Sequence, residues 1–405
     1  MERNARIAEA ARRNLKWFER SGVMDPADGG WGVAERLSVA EGPALEKMLN
    51  EFPAWSRKPE GYVLEQRRAD CNFEAALLFR IAAEYGIAEE AGRIGEKLLD
   101  YLYFRSGLLN RCDPAFPAGS WNWSHIKWRD VVYFDDNAWC IFIPLALADR
   151  SPEFDAKYDL RNWALILADS LVPAMRRTFG AENPQEPGTW RDPEQRWHGR
   201  LELPHWGSLA AMALSRAFLC RPAPDYREQV RRYHDYLAET LEAFTVSEHA
   251  YALLGAATAF RAFGEAADRA LAERAANLIL SKLDPETGNI PAEHYEAPKG
   301  THLVDTVYTV NWSFLALQMA AKLTGDAQIA AAKEKQLELL LSIQDRSESA
   351  FFHGCWRGMF DLHAGRWGGG DCYEGGAGSI YTGWTNAPIA LGLLLESRNG
   401  SLLDL

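Results

Sequence analysis

The chain alternates two kinds of helix, and that alternation limits what it can fold into. Some segments are apolar on every side, such as Asn72-Phe-Glu-Ala-Ala-Leu-Leu-Phe, Trp139-Cys-Ile-Phe-Ile-Pro-Leu-Ala and Tyr251-Ala-Leu-Leu-Gly-Ala-Ala. Others keep one charged face, such as Glu89-Glu-Ala-Gly-Arg-Ile-Gly-Glu-Lys and Lys333-Glu-Lys-Gln-Leu-Glu. A helix that is apolar all round must be buried, and one with a charged face lies at the surface. The 3.6-residue period, punctuated by Gly, Pro and Asp, predicts helices over 4–20, 70–85, 88–103, 136–149, 155–176, 205–220, 224–243, 247–263, 265–282, 305–323, 326–344 and 384–397. Two-residue alternation is nearly absent, so the fold class is all-α. The even-numbered segments are the inner ones and the odd-numbered the outer ones.

Link lengths carry the argument further. Inner-to-outer links are short, at 86–87, 150–154, 221–223, 264 and 324–325, whereas outer-to-inner links are long, at 21–69, 104–135, 177–204, 283–304 and 345–383, with 244–246 the brief exception. In a ring of antiparallel hairpins all the long links fall at one end, where sites are usually built. The predicted architecture is an (α/α)6 barrel. Over essentially the whole chain it resembles the six-hairpin glycosidase superfamily, and that resemblance implies a substrate pocket at the N-terminal ends of the inner helices.

With 44 Lys+Arg against 56 Asp+Glu the net charge is −12, and no basic block interrupts it. That argues against nucleic-acid and anionic-membrane partners, which require a cationic face. No apolar run approaches the roughly 20 residues of a bilayer span, and Met1–Arg20 lacks the apolar stretch of a signal peptide. A cytoplasmic protein is expected. No Pro-, Gly- or Ser-rich linker divides residues 1–405, so one domain is expected. The six cysteines form no CxxC pair, and no His/acid pair shows metal spacing, so neither metal nor cofactor is expected.

Tryptophan is abundant, at 15 residues, and Trp121, Trp123, Trp128, Trp190, Trp197, Trp206, Trp356, Trp367 and Trp384 fall in long links or at inner-helix starts. An indole face and its N–H suit the C–H faces and hydroxyl edges of a sugar ring. Each ring could equally plug a loop onto the barrel.

Tyr133-Phe-Asp135-Asp136-Asn-Ala138-Trp139 opens an apolar inner helix. Asp135 as N-cap and Asp136 as a charge on the helix dipole would be the plain reading. Two adjacent carboxylates at a buried helix start should also raise one proton affinity, which makes a general acid. The stretch resembles the Tyr-x-Asp-Asp-x-Ala-Trp signature of glycoside hydrolase family 76, the α-1,6-mannanases, and that resemblance implies Asp135 as nucleophile and Asp136 as acid/base. The same helix is similar to that of the unsaturated rhamnogalacturonyl and glucuronyl hydrolases, in which a second aspartate opens the preceding inner helix. Asp70 stands in that place. Asp25-Pro-Ala-Asp-Gly29-Gly30-Trp31 and Leu283-Asp284-Pro-Glu-Thr-Gly288 resemble turns of the N-acylglucosamine 2-epimerases. That family uses histidines near the fourth and sixth inner helices. His249 suits the first, but Thr385 and Asn386 stand at the second.

The glycine-rich stretch from His353 to Asn386 holds Trp356, Arg357, Asp371 and Glu374, and Glu374 is a candidate acid or base. Glycines let backbone approach a ligand closely. Arg129, Asp130, His205, Glu248, His249, Glu293, His294, Asp305, Tyr308 and Asn311 complete the rim, each a cap or packed group if not a ligand contact. Asp305 is a predicted N-cap, and Pro204-His205 a predicted helix start.

These residues predict a glycoside hydrolase that cleaves short oligosaccharides by paired-carboxylate catalysis. Its catalytic candidates are Asp135, Asp136 and Glu374. Its substrate-binding candidates are Asp70, Trp121, Trp123, Arg129, His205, Trp206, His249, Tyr308, Trp356, Arg357, Asp371, Trp384 and Asn386. An unsaturated uronyl hydrolase, a sugar 2-epimerase or polysaccharide lyase, and a non-catalytic glycan-binding toroid are the alternatives. Nothing in the sequence signals an oligomeric state.

Overall fold

The computed structural model describes residues 2–126, 131–180, 196–294, 298–369 and 376–405. Fourteen α-helices lie within them: α1 (Glu2–Arg20), α2 (Gly42–Glu51), α3 (Ala69–Glu84), α4 (Ala91–Asp100), α5 (Phe134–Arg150), α6 (Pro152–Tyr158), α7 (Leu160–Phe179), α8 (Pro204–Cys220), α9 (Pro224–Thr240), α10 (Val246–Phe263), α11 (Ala266–Lys282), α12 (Val310–Thr324), α13 (Ala327–Ile343) and α14 (Ala387–Glu396). The inner ring runs α3, α5, α8, α10, α12, α14 and back to α3. Each inner helix also packs on an outer one: α4, α7, α9, α11, α13 and α1 respectively. The fold is an (α/α)6 toroid.

Burial separates the layers as the patterning requires. Every residue of α5 from Phe134 to Ala148 is buried. Outer α9 buries only Tyr226, Gln229, Val230, Tyr233, His234 and Leu237, a stripe at three- and four-residue spacing. Leu237→Ala in that stripe costs about 2–5 kcal/mol. Gly264 ends α10 in the left-handed region (φ +70°), where its amide meets Phe260 O at 2.9 Å.

Several boundaries differ from the sequence expectation for local reasons. The outer segment predicted over 155–176 is two helices, α6 and α7, broken at Asp159, whose φ of +58° no helix interior accepts. Outer α4 gives way to a wider π-turn over Tyr101–Arg105. The inner segment predicted from 305 begins at Val310, with Thr309 as its N-cap. Asp305 instead ties a turn, accepting from the amides of Val307 (2.9 Å) and Tyr308 (3.0 Å) and the hydroxyl of Thr309 (2.9 Å). Pro204 does open α8, as predicted.

The first long link is more ordered than loop chemistry implied. It carries α2 and the strands β1 (Arg36–Ser38), β2 (Trp55–Lys58) and β3 (Gly61–Leu64). Further short strands are β4 (Val132–Tyr133), β5 (Trp197–His198), β6 (Leu303–Asp305), β7 (Met359–Asp361), β8 (Arg366–Trp367) and β9 (Ser379–Tyr381). They pair in the orders β2-β3-β1-β9, β4-β5 and β6-β7-β8. Each sheet therefore joins different long links, and β1 with β9 (Arg36 opposite Tyr381) joins the first link to the last. No helix among the described residues is long and apolar enough to cross a membrane.

Candidate active site

The starts of the inner helices converge on a cluster organised by Arg68, which precedes α3. Its Nη2 donates to Asp136 Oδ1 at 2.6 Å and Asp70 Oδ2 at 2.8 Å, its Nε to Asp70 Oδ1 at 3.2 Å, and its Nη1 to Glu35 Oε1 at 3.0 Å. One cation thus holds three carboxylates, with Arg36 near Glu35 at 3.9 Å. The guanidinium lies 5.3 Å from the Trp123 ring and 5.9 Å from that of Trp384.

Trp384 closes the cluster from the opposite chain end. Its Nε1 donates to Asp70 Oδ2 at 2.6 Å and its amide to Glu74 Oε2 at 2.8 Å, while its carbonyl accepts from Asn311 Nδ2. Its backbone sits in the left-handed region (φ +52°). Gly383 must be glycine, because a Cβ there would meet Glu74 Oε2 at 2.3 Å and Cys71 Cα at 2.6 Å.

Asp135 and Asp136 stand in the first turn of α5, after Tyr133 as N-cap. The N-cap role expected of Asp135 is therefore not its own. Both are more than nine-tenths buried, and Asp135 Oδ1 and Asp136 Oδ2 have no hydrogen-bond partner among the described residues. Burial pushes Asp136 well above the usual carboxylate range; Arg68 opposes the shift, and Asp70 and Asp135 add to it. Asp135 is also raised by burial, with His205 and Arg68 pulling it back. Burial and then Asp70 raise Glu74 well above the same range.

A second group faces this one from α8, α10 and the link before α12. His205 Nδ1 pairs with Glu248 Oε1 at 2.6 Å, and the His205 amide donates to Glu248 Oε2 at 2.8 Å. Its ring lies 3.8 Å from that of Trp206, whose Nε1 is buried without a partner among the described residues, and 6.2 Å from that of His294. His294 stacks on Tyr308 at 3.8 Å and 7°. Burial, with His205 and Lys299 adding, lowers His294 to about 3. Burial likewise lowers His249, whose Nε2 contacts Leu241 O at 3.0 Å and whose Nδ1 is buried without a partner among the described residues.

Asp70, Trp123, Asp135, Asp136 and Trp384 thus share one group, and His205, Trp206, His249 and Tyr308 lie at the neighbouring inner-helix starts. Four further candidates make packing or framework contacts. Trp121 packs edge-on against Phe73 and Tyr103 in the core. Trp356 is fully buried and donates Nε1 to Leu340 O at 2.8 Å. Arg357 is tied to Asp345 at 2.8 Å and lies over Phe352. Asn386 spends its amide on Trp356 O (3.0 Å), Tyr381 O (2.6 Å) and the Trp356 amide (2.9 Å). Arg129, Asp371 and Glu374, with Trp128, Trp190 and Asp130, lie outside the described residues.

Sequence reasoning missed Arg68, Glu35 and Glu74. For Glu74 a signal existed, since a carboxylate within a helix apolar on all sides has to be buried.

No family model matches the chain, and no curated protein matches it in sequence. Solved structures do match in fold. Cellobiose 2-epimerase from Spirochaeta thermophila is 12% identical, with 98% of this chain and 96% of that one covered at a TM-score of 0.65. An α-1,6-mannanase of glycoside hydrolase family 76 from Salegentibacter sp. is 10% identical, covering 97% and 99% at 0.58. The unsaturated glucuronyl hydrolase of Bacillus sp. GL1 is 16% identical, covering 87% and 92% at 0.53.

Proposed function

We propose that the chain is a glycoside hydrolase acting on neutral oligosaccharides, with Asp136 as proton donor and Asp135 as the second carboxylate. One observation carries this reading. Asp136 is held through Oδ1 by Arg68, while its Oδ2 is buried, partnerless among the described residues and disposed to keep a proton. Such a group can protonate a glycosidic oxygen as the bond breaks. The mannanase, crystallised with α-1,6-mannotriose, and the other matched structures support a saccharide substrate. A neutral substrate is supported by Arg68, whose three nitrogens are all engaged by carboxylates, so that it has little to offer a uronate.

A second reading, sugar 2-epimerisation, draws on His205. Glu248 orients its imidazole, and the rim residue His294, in the link before α12, brings a second ring within 6.2 Å of it, although the sixth inner-helix start carries Thr385 and Asn386. Incubating the protein with neutral gluco- and manno-oligosaccharides in D2O separates the two. The hydrolase reading expects new reducing ends without deuterium at carbon 2, and the first product retains its anomeric configuration if Asp135 and Asp136 are the working pair. Deuterium at carbon 2 of an uncleaved sugar overturns it in favour of epimerisation. An inverted first product transfers the base role to Glu374.

A further inference from the structure

Away from the inner-helix starts, two long links bring three metal-binding side chains together. His302 precedes β6, Asp361 ends β7, and His363 lies in the turn between β7 and β8. Strand pairing fixes their positions: Leu303 lies opposite Asp361, and the Leu362 amide donates to His302 O at 3.0 Å. The two imidazoles are parallel within 1°, with centroids 4.5 Å apart. One donor atom from each of the three residues lies within 4.8 Å of the others. Asp361 uses Oδ1 for the amides of His363 (2.9 Å) and Ala364 (3.0 Å), which leaves Oδ2 available.

We propose that His302, Asp361 and His363 bind a divalent transition ion of the Zn2+, Ni2+ or Cu2+ class. Two imidazoles and one carboxylate suit these borderline ions, whereas Ca2+ and Mg2+ prefer oxygen alone. Around a tetrahedral ion with bonds of about 2.0–2.1 Å the donors sit roughly 3.3 Å apart, with water in the fourth place. Exposed His363 can rotate to close that gap. The ion would clamp the link between α11 and α12 to the link between α13 and α14. His302 lies 61 positions from His363, so the sequence alone does not bring the two histidines together. This site is independent of the hydrolase reading.

The test uses the full chain without a polyhistidine tag, titrated with ZnCl2 by calorimetry and with CoCl2 by visible absorption. One ion per chain is expected, together with a zinc-dependent rise in Tm. His302→Ala, His363→Ala and Asp361→Asn should each weaken binding tenfold or more and abolish the Tm rise. His353→Ala, at a half-buried histidine bonded to Ser347 O, should change neither. MgCl2 should not bind. Absence of stoichiometric zinc binding, zinc binding that survives His302→Ala and His363→Ala, or equal binding of Mg2+ overturns the proposal.

Discussion

The two halves of the toroid's mouth treat protons in opposite ways. On the α14–α3–α5 side, carboxylates outnumber the cation that holds them, and burial drives Asp136, Asp135 and Glu74 toward the protonated form. On the α8–α10–α12 side, burial drives His249 and His294 toward the neutral form. Desolvation acts against charge in both, so it raises the acids and lowers the bases. A site with both can hold a donor and an acceptor at one pH.

The sharpest way to break this contrast is Asp136→Asn. Asn still accepts from Arg68 but carries no transferable proton, so turnover in reducing-end assays should fall about 10³-fold while the thermal midpoint hardly moves. Near-wild-type turnover would make Asp136 structural.

Arg68→Met comes next, because it strips from Asp70 and Asp136 the only cation that pairs with them among the described residues and leaves buried charge uncompensated. A loss of about 3–5 kcal/mol is expected in urea denaturation at pH 7. The loss should shrink at pH 5, where Asp135 and Asp136, both raised by burial, are more fully protonated, and an equal loss at both pH values would contradict the proton-rich picture.

The histidine half should show the opposite sign. His294 has a folded pKa of about 3 against an unfolded value near 6.5, so its contribution is present above 6.5 and is lost as pH falls toward 3. Between pH 7 and pH 5 that amounts to about 2 kcal/mol. His294→Gln should flatten this limb of the stability profile, and an unchanged slope would show that His294 titrates normally.

The smallest effect is expected from Glu248→Gln. A glutamine keeps one of the two oxygens that hold His205, so kcat/KM should drop about tenfold, or roughly 1.4 kcal/mol.

Much of this molecule was legible in its sequence, and the exceptions have physical causes. The ring was readable because burial on all sides of α5 or α10 and on one face of α9 are different patterns in the chain itself. β4, β5 and β8 were not, because two residues cannot display an alternation. The Asp135–Asp136 pair stood out because both carboxylates share one turn. Arg68 did not, since its meaning comes from Glu35, Asp136 and Trp384, which only closure of the ring brings to it. The burial of Trp121 and Trp356 was not legible, because an indole looks the same in sequence whether it packs in a core or lines a pocket.

Trp384 gives that closure a further meaning. Its amide, carbonyl and indole N–H bind Glu74 and Asp70 of the first inner helix and Asn311 of the fifth, from a residue just before the sixth. The seam where the ring meets itself is therefore the wall of the acidic cluster. A nascent chain emerging without its last hairpin has Arg68 and its carboxylates but nothing to seal them from water, and the desolvation that tunes Asp136 is missing. The raised proton affinity of Asp136 is therefore a property of the closed ring and not of the hairpin that carries it.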